Sequence, residues 1–185
     1  MTKRSKKTLF VLDLDNTLVF GCYDGSGSAP FLFRYSEYLR VLERPYARQF
    51  IERCRRYGDI IIFTAAMHDY AVAISGRMGI RPEYILSGEH CSYRDGRFCK
   101  TVRPEWFEQY EEIVIMDDSP DVWEKAAHET CRIIAPPRFW GCRSDDGLKN
   151  LPDMPLSVSR DIIVARTRPI KSAATHEGPA TSTPK

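Results

Sequence analysis

No stretch of the 185 residues approaches the roughly 18 consecutive apolar residues that a membrane-crossing helix requires, and the N-terminus carries no leader-like apolar core. A soluble intracellular protein away from the membrane, nuclear or cytoplasmic, is the expectation. No Cys-x-x-Cys pair occurs among Cys22, Cys54, Cys91, Cys99, Cys131 and Cys142, so the spacing of a zinc site is missing and free thiols are expected. Cys91 and Cys99 flank a predicted hairpin, where a structural role is expected rather than a redox one. No repeat is apparent. Net charge is also nearly absent, at +2, but it is unevenly spread. Residues 1–8 carry four Lys or Arg and no acid, and residues 160–185 carry five with two acids, so the tails total +7 and leave −5 on the body. A mildly acidic body does not suit a nucleic-acid-binding domain, and the tails read as solvated arms. Lys3-Arg4-Ser5-Lys6-Lys7 fits a nuclear address only as a short basic run common by chance.

What is present is organised around Leu9-Phe-Val-Leu-Asp-Leu-Asp-Asn-Thr-Leu-Val19. Its bulky apolar start predicts a strand buried on both faces, as at the centre of a parallel sheet. Asp13 and Asp15 then fall at its carboxyl end, where open α/β sheets place their sites. Two carboxylates aimed at one small volume repel unless something positive joins them, and a hard, oxygen-seeking dication such as Mg²⁺ is the simplest partner. An isolated Asp-x-Asp is otherwise a common loop or helix-cap pair.

The rest of the chain alternates strands and helices. Val19-Phe20 and Phe31-Leu-Phe33 bracket turn-rich Gly21–Pro30, and a short strand is predicted at 38–42. Pro45 opens a helix to about Tyr57, stopped at Gly58. Asp59–Thr64 reads as a second buried strand, and His68 to Met78 as its return helix. Asp95-Gly96 marks a hairpin within Cys91–Lys100. Ile113–Asp118 is a third apolar strand ending in acids, Ser119-Pro120 predicts the start of a helix to about His128, and 130–134 a fourth strand. This order implies a parallel sheet with right-handed crossovers, so Asp13/Asp15, Thr64 and Asp117/Asp118 converge only if their strands are neighbours. Residues 1–7 are expected to form a disordered basic tail, 8–155 the domain, and 156–185 a largely disordered extension with Ile162-Ile-Val164 as its last apolar cluster.

Asp13-Leu-Asp-Asn-Thr17 resembles the first motif of the haloacid dehalogenase superfamily, and the chain from about Leu9 to Leu151 is similar to its FCP/SCP group of protein phosphatases. The resemblance implies a Rossmann-like α/β fold, with a central parallel sheet flanked by helices, a small β-hairpin insert and no large cap domain. It implies that Asp13 attacks phosphorus, that Asp15 acts as acid and base, and that Thr64, in Phe-Thr-Ala-Ala, bonds the phosphoryl group. Lys100 would offset the negative charge, and Thr17, Thr64 and Lys100 would contact substrate. Asp118, in Asp-Asp-Ser-Pro, would ligate Mg²⁺ with the Asp13 carboxylate and the Asp15 backbone carbonyl, with Asp117 in support. Taken alone, Thr64 also reads as a structural strand-end residue and Lys100 as a surface lysine.

The implied activity is Mg²⁺-dependent hydrolysis of phosphoserine or phosphothreonine in a protein, with RNA polymerase II C-terminal-domain repeats as leading substrate and a monomer as the working form. Only 46 residues separate Thr17 from Thr64, too few for a helical cap, so an open site for a peptide is expected. Phe20, Tyr23, Phe31 and Phe33 are candidates for an apolar groove beside it, though core packing accounts for them equally well. Gly88, in Gly-Glu-His-Cys91, stands where relatives carry a basic substrate contact, which leaves chemistry intact and phosphosite preference open. The segment at Phe139-Trp-Gly141 departs from the family's usual connection, and the last helix is expected to shrink to 145–151. Two rivals remain: a small-molecule or lipid-pathway phosphatase on the same fold, and a non-catalytic binding module.

Overall fold

The computed structural model describes residues 8–151, save Asp24, Asp95 and Asn150, together with 163 and 164. The expectations of disorder for residues 1–7 and for 156–185 fall, except at 163 and 164, outside this range. In chain order the elements are β1 (Thr8–Leu12), β2 (Val19–Cys22), β3 (Phe31–Arg34), β4 (Arg40–Glu43), α1 (Ala47–Tyr57), β5 (Gly58–Phe63), α2 (His68–Met78) and β6 (Ile85–Leu86). A 3₁₀ turn at Gly88–His90 precedes β7 (Ser92–Arg94), β8 (Arg97–Cys99), α3 (Pro104–Gln109) and β9 (Glu112–Met116). A second 3₁₀ turn at Pro120–Val122 leads into α4 (Lys125–Thr130), β10 (Arg132–Ala135) and β11 (Ile163–Val164). None of the helices among the described residues is long and apolar enough to cross a membrane.

The main sheet is six-stranded and parallel, in the order β11-β10-β9-β1-β5-β6. Its edge strand β11 is drawn from the stretch expected to be an extension, and it pairs in register with Ile134 and Ala135. Alternating residues of the central strands feed two cores. Phe10, Leu12, Ile60 and Ile62 pack with Phe50, Ile51 and Cys54 of α1 and Ile74 and Met78 of α2. Leu9, Val11, Ile61 and Phe63 pack with Trp106 of α3, Trp123 and Ala127 of α4. Burial on both faces is why these strands read as unbroken apolar runs. Gly58 must be glycine for the β1–β5 contact, because a Cβ there would lie 1.8 Å from the Thr8 carbonyl oxygen.

The insertion after β1 is a three-stranded antiparallel sheet in the order β2-β4-β3, and β7 and β8 form the expected hairpin, with Gly96 at φ +77° in its turn. Two predicted helices are corrected. The one from Ser119 to His128 is broken, since after the 3₁₀ turn Trp123 pairs with Lys100, whose N–H donates to the Val122 carbonyl (2.8 Å) while Glu124 N–H donates to the Lys100 carbonyl (3.0 Å). Ser119 does not cap this segment; its hydroxyl donates to Asp118 at 3.1 Å. The helix expected over 145–151 is a run of turns, because the Asp145 carboxylate is held by Arg44 and by the Gly147 N–H.

Candidate active site

β9, β1 and β5 are adjacent, so their carboxyl tips bring Asp117/Asp118, Asp13/Asp15 and Thr64 to one pocket. Lys100 arrives from the end of the hairpin, pinned by the backbone pairing that breaks the helix after Ser119. The pocket encloses about 170 Å³ and is lined by Asp13, Asp15, Thr64, Lys100, Asp117 and Asp118, with Asn16, Phe98 and Arg138 among the remainder. The turn that carries the two aspartates is tight: Thr17, Leu18 and Val19 N–H groups all donate to the Leu14 carbonyl. Asn16 takes the left-handed conformation there, at φ +60°, which asparagine tolerates better than most side chains.

The buried Lys100 ammonium lies 2.8 Å from Asp13 Oδ1 and 2.8 Å from Asp117 Oδ2. Asp117 is further fixed by the Trp123 indole N–H (2.9 Å) and the Ser119 N–H (3.0 Å). Burial pulls the Lys100 pKa down, but Asp13 and Asp117 overcome it and hold the group charged, above its usual range. Burial pushes the Asp13 carboxyl up to about 7 against the pull of Lys100. Asp15 and Asp118 are raised as well, chiefly by burial, with the Tyr70 hydroxyl and Arg138 respectively among the groups opposing. The pocket therefore carries more negative charge than its own cations offset.

Three of these acids form a tight set. One carboxylate oxygen each from Asp13, Asp117 and Asp118 lies within 4.8 Å of the others. An all-oxygen, anionic donor set of that size fits a hard dication. Asp117 thus lies within the set beside Asp13 and Asp118, while the Asp15 side chain stands outside it, accepting from the Tyr70 hydroxyl at 2.9 Å.

Thr64 Oγ1 accepts from the Ala66 N–H at 3.1 Å, which shapes the loop at the tip of β5. Thr17, expected to contact substrate, is fully buried and clasps Asp118 instead: its hydroxyl donates to Asp118 Oδ1 (3.2 Å) and accepts from the Asp118 N–H (3.0 Å). Of the two readings left open for the aromatics, packing holds for most. Phe33 is in the core, Phe20 packs edge-on against Phe139 and Trp140, and Phe31 lies under Arg40. Of the four candidates Tyr23 alone lines the adjoining cavity of about 360 Å³, with Tyr35, Leu39, Met67 and Tyr70. Tyr70, Trp123 and Arg138 are site residues that sequence reasoning missed. Tyr70 opens the return helix six residues after Thr64, which is a usable signal; nothing local marks Trp123 or Arg138.

At the position of the missing basic contact, a Cβ on Gly88 would sit 2.6 Å from the Ala65 carbonyl oxygen, so no side chain fits there without moving the backbone.

The chain matches the model of the NLI interacting factor-like phosphatases over residues 7–159. It is 27% identical over 166 residues to the CTD nuclear envelope phosphatase 1 homolog of Caenorhabditis elegans, an alignment covering 79% of this chain and 64% of that protein. It is 31% identical over 124 residues to the CTD small phosphatase-like protein 2 of Dictyostelium discoideum, covering 63% of this chain and 22% of that one. The chain thus spans less than two thirds of the length of these curated relatives. Among solved structures, Fcp1, an essential RNA polymerase II CTD phosphatase, superposes with a TM-score of 0.52 at 17% identity, covering 73% of this chain and 42% of that one. The fold is the one shared with Fcp1, and with the family match spanning most of its length, the chain belongs to the NLI interacting factor-like phosphatases.

Proposed function

We propose that the chain is a Mg²⁺-dependent protein phosphatase for phosphoserine and phosphothreonine, working through an aspartyl phosphate on Asp13. The observation that carries this reading is the Lys100 ammonium between Asp13 and Asp117, beside Asp118, at the tips of three neighbouring parallel strands. A phosphomonoester needs a nucleophile, an acid for the leaving oxygen, and cations around the phosphoryl oxygens. An Asp13 carboxylate oxygen attacks phosphorus, and the bond from phosphorus to the serine or threonine oxygen breaks. The Asp15 carboxyl gives its proton to that departing alkoxide. Water then attacks the aspartyl phosphate while Asp15 takes a proton back, and inorganic phosphate leaves with Asp13 restored.

Burial favours the protonated form of Asp15 that the first step requires, and Lys100 favours the ionised form of Asp13. Asp13, Asp118 and the backbone carbonyl of Asp15 would hold Mg²⁺, with Asp117 close by. When bound, the ion supplies positive charge that screens the carboxylates from the incoming phosphoryl oxygens. Thr64 contributes a hydroxyl at the phosphoryl end of the pocket.

The absence of a helical cap among the described residues and the open groove of Tyr23, Tyr35, Leu39, Met67 and Tyr70 favour an extended peptide over a small metabolite. The relatives' names, CTD phosphatases, support RNA polymerase II C-terminal-domain repeats as substrate, and the reading adds Ser-Pro phosphosites and a nuclear or cytoplasmic monomer. Phosphate release from a phosphopeptide panel containing repeated Ser-Pro heptads, with Mg²⁺ and with EDTA, tests this beside Asp13→Asn. Metal-dependent release favouring Ser-Pro peptides, absent in that variant, is expected. Turnover of sugar, nucleotide or lipid phosphates with none of the peptides would replace the substrate class, and retained activity in Asp13→Asn would overturn the mechanism.

A further inference from the structure

The pocket's two cations are not equivalent. Lys100 is buried, and both acids it serves are within 2.8 Å, so its charge is largely committed before any substrate arrives. The wall formed by Ala65, Ala66 and Phe98 brings no charge, and Gly88 behind it has no room for a side chain. That leaves Arg138 on the opposite rim.

Its side chain is about half exposed (49%), and its Nε lies 3.3 Å from Asp118 Oδ2 in an ion pair with a single carboxylate. The guanidinium rests 5.2 Å from the centre of the Trp140 ring. Two nitrogens of the fork are left for another partner, which suits the planar, bidentate recognition of a phosphate.

The backbone on either side of Arg138 is fixed by hydrogen bonds. The Pro137 carbonyl accepts from Arg44 Nη2 at 2.6 Å. The Phe139 N–H donates to the Asn16 carbonyl at 2.8 Å, and the Phe139 ring is fully buried, with Arg44 5.4 Å from its centre. The arginine is therefore held on the rim by the same turn that presents Asp13 and Asp15, with its half-exposed side chain lining the pocket.

We propose that Arg138 is the substrate-binding cation of this site, contacting the non-bridging oxygens of the phosphoryl group from the side opposite Ala65 and Ala66. The assignment deepens the phosphatase reading and rests on it for the identity of the substrate. A charged hydrogen bond of this kind contributes about 1.5–3 kcal/mol, which corresponds to about 10- to 100-fold in affinity. The test measures KM for an aryl phosphate and for a Ser-Pro phosphopeptide, and the affinity for inorganic phosphate by calorimetry, all with Mg²⁺ present, in the wild type, Arg138→Ala and Arg138→Lys. Arg138→Ala is expected to raise both KM values and the phosphate dissociation constant about 10- to 100-fold, with Arg138→Lys recovering part of the loss. Unchanged KM and phosphate affinity with a loss confined to kcat would overturn the proposal, since Arg138 would then act only by positioning Asp118. A wild type that binds phosphate through Arg138 yet hydrolyses no ester would sink the phosphatase reading and keep this assignment; a wild type that binds no phosphate would sink this assignment.

Discussion

Two cations are buried among the described residues, and they sit in opposite electrostatic circumstances. Arg44 is fully buried at the end of β4, where its guanidinium donates to both oxygens of Asp145 (2.7 and 3.2 Å) and to the carbonyls of Thr17 (3.0 Å) and Pro137 (2.6 Å). One charge meets one countercharge, and the remaining donors meet neutral oxygens. Lys100 is nearly as buried, but it faces two carboxylates directly, with Asp118 beside them and Asp15 lining the same pocket. The first arrangement is closed and ties the phosphate-side turn to the segment carrying Arg138. The second is short of positive charge, as the proposed binding of a cation and then an anion requires. Burial of a charge by itself therefore says little about function; the local balance of charge does.

The comparison is broken most severely by removing each cation in turn. Lys100→Met is expected to lower phosphatase turnover about 10²- to 10³-fold, on the scale of losing one preorganised charge at a reacting centre. It also leaves Asp13 and Asp117 without their shared countercharge, at a cost of about 3–5 kcal/mol. That cost should shrink at pH 5.5 relative to pH 8, because acid protonates the stranded carboxyls, and Mg²⁺ should recover part of it. Arg44→Met is expected to cost a similar 3–5 kcal/mol by leaving Asp145 unpaired, yet Mg²⁺ should restore none of it. Thermal melts of both variants, with and without Mg²⁺, decide the matter. Equal recovery by Mg²⁺ in the two would show that the sites do not differ in the way described.

The same charge deficit predicts how metal-free protein responds to pH. Burial raises the folded-state Asp13 carboxyl to about 7 from an ordinary 3.8, so between those values the folded chain holds a proton that the unfolded chain has released. Asp13 therefore makes the metal-free protein less stable as pH rises from about 4 to 7. Mg²⁺ competes with that proton, so it should stabilise more at pH 8 than at pH 5.5. At a hundred times its dissociation constant the gain is about 2.7 kcal/mol, or roughly 5–11 °C in Tm for a domain of this size. Asp118→Asn should remove most of that shift. A larger shift at pH 5.5, or an undiminished one in Asp118→Asn, would place the ion elsewhere.

The acids that meet in the pocket were legible because they follow apolar runs, and those runs exist because β1, β5 and β9 are covered on both faces. Thr64 and Lys100 were legible by the same logic of strand tips and hairpin ends, together with the resemblance. The helix breaks were not. Trp123 leaves the helix for a hydrogen bond to Asp117 and a pairing with Lys100, and Asp145 leaves its predicted helix for Arg44, 101 positions away. No local propensity reports such partners. The choice between groove and core for the aromatics was open for a related reason: Phe31 and Phe33 flank a register shift between β3 and β4, and one points outward while the other enters the core. Nor does any local signal report that the Thr17 hydroxyl, expected at the substrate, is turned inward to Asp118.

Tyr70 offers the finest probe of the contrast, because it tunes one acid of the site without altering the charge of either buried cation. Its hydroxyl donates to Asp15 Oδ1 at 2.9 Å, and that bond favours the ionised carboxylate against the burial that raises its pKa. Tyr70→Phe removes the bond, so the Asp15 pKa should rise further. As the proposed acid for the leaving oxygen, Asp15 must be protonated in the first step, and the alkaline limb of kcat/KM should move to higher pH. Lost orientation should also lower kcat on a serine phosphopeptide about five- to tenfold, the worth of one such hydrogen bond. An aryl phosphate, whose leaving oxygen needs little protonation, should be affected far less. A uniform loss on both substrates with an unmoved pH limb would mean that Tyr70 serves the groove, not Asp15.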